Sequence, residues 1–106
     1  MRPPAEALAA LAAFVDAIES HLDALGVTAA VAATVPQSFV GQLRLAILPG
    51  VRARLAGEAE LPADSTLGAL AIRACDGDER FAQLTSMLSA FDASYRNVLR
   101  LWGGQA

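Results

Sequence analysis

The sequence predicts an all-α fold, a compact bundle of four to five helices with long first and last members. Three observations carry that expectation. Two segments place large apolar residues at alternating spacings of three and four, the seam of a helix that packs against other helices. Hydrophobic residues make up 55% of the chain, above the ~45–50% of an ordinary globular protein, and much of the excess is alanine, the strongest helix former. Glycine and proline gather between the periodic segments, at Gly26, Pro36, Pro49, Gly50, Gly57, Pro62 and Gly103.

The first helix is expected over residues 4–25. Pro3 and Pro4 suit a first turn, whose N–H groups have no intrahelical partner, and Gly26 suits a left-handed stop. Its stripe is Leu8, Leu11, Val15, Ile18, Leu22 and Leu25. Residues 27–35 read as a short helix capped by Thr28, because alanine is depleted in strands. Pro36 is expected to open a helix through residue 48, with Phe39, Val40, Leu43 and Ile47 on one side. Pro49 lacks an N–H and crowds the preceding turn, so a kink or restart is expected there, with a stop at Gly57.

Residues 57–64 carry no periodic pattern and read as a loop. Asp64 or Ser65 is expected to cap a short helix bearing Leu67, Leu70 and Ile72. A turn at residues 76–78 follows, with Asp78 as N-cap of the last helix and Glu79 in its first turn. That helix is expected to reach Trp102, with the stripe Phe81, Leu84, Leu88, Phe91, Tyr95, Val98 and Trp102. Long outer helices around shorter central ones make a single bundle domain over residues 1–106.

Composition excludes several function classes. A net charge of −3 argues against nucleic-acid binding, which normally brings a basic excess. All basic residues are arginine, a bias that GC-rich bacterial coding also produces. The lone Cys75 makes no internal disulfide and fits a reducing cytoplasm. Glu6 and Asp16 interrupt any secretory apolar run near the start. The uncharged stretch 24–43 contains Pro36, Gln37, Ser38, Gly41 and Gln42, which make membrane insertion costly. No membrane partner is expected.

Catalytic and metal motifs are missing from the pattern. One His, one Cys and scattered carboxylates lack the paired spacings of zinc or di-iron bundles, and Asp76-Gly77-Asp78-Glu79 lacks the remainder of a calcium loop. No phosphate-binding or dinucleotide fingerprint occurs, so neither cofactor nor enzymatic activity is expected. His21 is the sole histidine. A lone histidine in a helical bundle of this length resembles histidine phosphotransfer domains, which present an imidazole for attack on an aspartyl phosphate. That resemblance implies a signalling role for His21 as the alternative function. The lysine that such domains place nearby is absent, and Asp23 stands where it would repel a phosphoryl group.

The leading expectation is a non-catalytic protein–protein interaction module: an adaptor, small subunit or chaperone-like bundle. Its partner would be another protein or a second copy of the chain. Low charge (18%) on a small domain leaves apolar or alanine-coated surface to be covered. The residues expected to meet a partner are the aromatic Phe91, Tyr95 and Trp102 and the basic Arg44, Arg52 and Arg54. The alternative for these arginines is a solvated face paired with the chain's own acidic loop. For Trp102 it is closure of the bundle.

Overall fold

In a computed structural model, which describes residues 2–103, the chain forms five helices and no strand among the described residues. Helix α1 spans Ala5–Ala24, with Pro4 as its extended N-cap residue. It ends in two backbone bonds, from Gly26 N to Asp23 O and from Val27 N to Leu22 O, across a Gly26 at φ 83°. This left-handed stop is where glycine has no Cβ to clash. Helix α2 spans Ala29–Thr34, and Thr28 Oγ1 accepts from Val31 N at 3.2 Å, the cap expected from the sequence.

Helix α3 departs from the sequence reading at both prolines. It does not open at Pro36, which lies in a turn. Ser38 is the N-cap, its Oγ accepting from Gly41 N at 3.0 Å, and residues 39–55 are continuously helical. Nor does Pro49 break the helix. The α-helical turn Phe39–Gln42 passes into a π-helical turn over Leu43–Ile47, and α-helix resumes over Leu48–Leu55. In the π turn Leu48 N donates to Leu43 O, one residue further back than in an α-helix. Widening the helix just before the proline relieves the crowding of its ring against the preceding turn.

Helix α4 spans Leu67–Cys75 and stops at a left-handed Asp76 (φ 38°). Neither Asp64 nor Ser65 caps it. Asp64 accepts from Ser65 N, and the first N–H groups of α4 turn instead to Asp92 of the last helix. Asp78 Oδ1 accepts from Arg80 N at 3.0 Å and starts a 3₁₀ turn, Glu79–Phe81. Helix α5 follows over Ala82–Val98 and continues into a π-helical turn, Leu99–Gly103.

The two stripes meet the same core. From α1 it takes Leu8, Leu11, Val15, Ile18 and Leu22; from α5, Leu84, Leu88, Phe91 and Tyr95. Leu43, Leu48 and Leu55 of α3 join them, as do Leu67 and Ala71 of α4. Truncating such a buried leucine to alanine costs about 2–5 kcal/mol. Phe14 meets Phe91 edge-on at 5.8 Å, and Phe91 stacks on Tyr95 at 6.2 Å. Helices α4 and α5 come close at Gly68, where a Cβ would stand 2.3 Å from Ser89 Oγ.

Candidate functional site

The arginines expected to face a partner are mostly used within the fold. Arg44 reaches from the π turn of α3 to the end of α1, donating to Asp23 Oδ1 at 2.9 Å and Glu19 O at 3.1 Å. A cation there also lies at the favourable, negative end of the α1 dipole. Arg52, one helical stretch further on, pairs with Asp16 at 2.7 Å and with Glu19. Both carboxylates hold the Arg52 guanidinium above its ordinary pKa, with the hydrogen bond it donates to Asp16 foremost. The acidic partner of this basic segment is therefore α1, and not the Glu58–Glu60 loop as the sequence suggested. Arg54 is exposed and makes no ion pair among the described residues.

The three aromatic candidates separate in the same way. Phe91 and Tyr95 are 1% and 3% exposed, so in this conformation their surface belongs to the core. The heptad arithmetic that selected them is the reason: in the middle of a packed helix, the stripe is the inward face. Burial raises the Tyr95 phenol above its ordinary pKa, with smaller opposing effects from Arg54 and Arg2. Its hydroxyl donates to Pro62 O. Trp102, last in the same stripe, lies beyond the core and is 48% exposed, with Leu101 beside it at 57%. Trp102 does not close the bundle.

His21 lies on α1 with its Nε2 buried and without a hydrogen-bond partner. In-line phosphoryl transfer to that nitrogen needs access from solvent, which this placement denies it. No group of three or more His, Cys, Asp or Glu side chains able to hold a metal occurs among the described residues. No helix is long and apolar enough to cross a membrane. Between α1 and α3 runs an open groove of about 470 Å³ floored by Leu8, Ala9, Ala12 and Leu55. Arg2 and Arg52 stand along it, but both are engaged: Arg2 donates to the carbonyls of Arg54 and Leu55 at the end of α3.

Comparisons of the chain with family models, curated proteins and solved structures find no match.

Two features that matter were not singled out by sequence. Asp92 is a buried carboxylate, 4% exposed, with three donors on it: Ser65 Oγ at 2.6 Å, Leu67 N at 3.0 Å and Gly68 N at 2.7 Å. Arg96, four residues further along α5, does not pair with it but donates to Asp64 at 2.6 Å and to Ser65 O at 2.9 Å. Ile72 is the other. The periodicity of α4 placed it with Leu67 and Leu70, yet it is 61% exposed, the most open large apolar side chain among the described residues. A signal existed for Asp92, which falls directly beside the core residue Phe91; Ile72 stands four residues after the buried Gly68, so helical spacing alone did not mark it as exposed.

Proposed function

We propose that this chain is a non-catalytic interaction module that binds a second protein, or a second copy of itself, through the exposed end of α5. The observation that carries this reading is the pair Leu101 and Trp102, two large apolar side chains about half exposed on the last helical turn. Tryptophan is the residue type most enriched among side chains that dominate binding energy, and its cost in solvent is high. The charged residues nearest in chain order do not compete for it: Arg96 is held by Asp64 and Ser65, and Arg100 donates to Asn97.

The test is sedimentation of the purified chain together with capture of partners from the native cell. Trp102→Ser and Leu101→Ser are compared with the parent. The expected result is a species heavier than the monomer, or a defined co-purifying protein, that both substitutions abolish while helix content stays unchanged. A monomer that captures nothing dependent on Trp102 would sink the reading.

A further inference from the structure

The segment between α3 and α4 is tied down firmly at its ends and lightly in between. At the α3 end, Glu58 N donates to Ala53 O, Gly57 turns at φ 90°, and Arg2 covers the last carbonyls. At the α4 end, the Asp92 carboxylate gathers Ser65, Leu67 and Gly68. Between these anchors no backbone–backbone hydrogen bond forms among the described residues. What holds residues 59–64 down is three side-chain contacts. Leu61 is half-buried, Tyr95 donates its hydroxyl to Pro62 O, and Arg96 pairs with Asp64 at the solvent edge. Underneath lies a crevice of about 30 Å³, lined by Val51, Leu55, Leu61, Phe91 and Tyr95. The segment therefore covers the apolar wall without filling it.

We propose that residues 59–64 form a lid that swings open as a unit on these two anchors while the helices stay packed. Opening breaks the three side-chain contacts and no backbone bond. Segments with few buried apolar contacts and no backbone ladder open at far lower free energy than the fold as a whole. The helices beneath do not depend on the lid for their own contacts. Helices α4 and α5 are joined by the Asp92 cap and the Gly68–Ser89 approach, both outside the moving residues. The open state uncovers the crevice-facing edges of Phe91 and Tyr95, two of the residues expected from the sequence to meet a partner. In that consequence alone the inference rests on the proposed interaction role.

The chain offers a direct reporter, because Tyr95 is its only tyrosine and Trp102 its only tryptophan. Fluorotyrosine incorporation gives one fluorine NMR signal at the lid, and fluorotryptophan gives a control signal away from it. Arg96→Ala, Asp64→Asn and Leu61→Ala each remove a latch. Each is expected to raise broadening of the Tyr95 signal by a soluble paramagnetic agent about twofold or more, as a larger open population requires. The Trp102 signal and the helical circular dichroism should not change. The measurement needs no partner, so its failure is distinct from failure of the interaction reading. If the Tyr95 signal stays protected in all three variants until helix content is lost, the segment melts with the bundle and there is no lid. If all three variants unfold outright, the segment is part of the cooperative core, and the proposal is equally overturned.

Discussion

Replacing Asp92 by alanine is the sharpest test of how this bundle is held together. The carboxylate sits on α5 but serves α4, accepting from the N–H groups of Leu67 and Gly68 and from the Ser65 hydroxyl. Burying a carboxylate costs desolvation energy, and two things offset it: three donors, and the positive end of the α4 dipole. In Asp92→Ala the two buried N–H groups lose their acceptor. Each orphaned donor costs about 1–3 kcal/mol, and loss of an N-cap alone about 0.5–2 kcal/mol. Because the vacated space admits water and the desolvation cost disappears, we expect a net loss of about 2–4 kcal/mol. For a domain stable by about 5–15 kcal/mol that is a large share, and the melting midpoint should fall by roughly 10–20 °C. Asp92→Asn keeps one acceptor oxygen but turns an amide NH₂ toward the donors, so its loss should be intermediate. Urea unfolding followed by circular dichroism gives both values if the slope stays constant. A loss below about 1 kcal/mol in both variants would refute the tertiary cap and return the α4 terminus to solvent.

Other consequences follow from contacts of the same kind. Gly68→Ala would push a Cβ to 2.3 Å from Ser89 Oγ and 2.7 Å from Ser89 Cα; the hydroxyl can rotate away but the backbone cannot. It should cost about 1–3 kcal/mol in urea unfolding despite alanine's better helix propensity. Cys75 has its thiol raised above the ordinary value by burial, then by the nearby Asp78 carboxylate. Maleimide labelling near pH ~8 should therefore be slower than for a free cysteine peptide, and faster in Asp78→Asn. The Tyr95 phenol is raised from 10.0, so the stability linked to it is fully present below pH 10.0 and is lost as pH rises through the higher folded value. Urea midpoints should fall across that alkaline window in the parent, and this contribution should be absent from Tyr95→Phe.

The helices were legible because their signals are local. Leu8 to Leu22 and Leu84 to Tyr95 repeat at helical spacing, and the same residues are the core. Thr28, Asp78, Gly26 and Gly57 act within a few residues of themselves, as capping and stop signals do. What sequence missed depends on partners far along the chain. Asp92 caps a helix that begins 25 positions earlier than itself, and its place beside Phe91 signals burial but not which helix it caps. Pro49 is accommodated by a π turn whose widening is visible only in the backbone. Arg44 and Arg52 looked free because the acids they meet lie on α1, with 21 positions separating Arg44 from Asp23. Phe91 and Trp102 share one stripe, and only the length of the surrounding bundle decides that the first is covered and the second is not.

This internal use of charge also fixes what an interface on this molecule should respond to. Arg44, Arg52 and Arg96 are each spent on an acid of the same chain. The most exposed large apolar side chains among the described residues are Ile72, Leu101 and Trp102, while Arg54 and Arg73 are exposed arginines outside these ion pairs. An interface built on cations would weaken as salt rises, since exposed charges are screened beyond about 8 Å at physiological ionic strength. One built on Leu101 and Trp102 would not weaken, and apolar burial tends to strengthen in excluded salts such as sulfate. Whichever complex forms, its dissociation constant should change less than about threefold between ~0.05 M and ~0.5 M sodium chloride. Sedimentation or fluorescence titration across that range measures it. A tenfold or greater weakening, which corresponds to about 1.4 kcal/mol, would move the interface from the tryptophan end to Arg54 and the acidic residues of the lid.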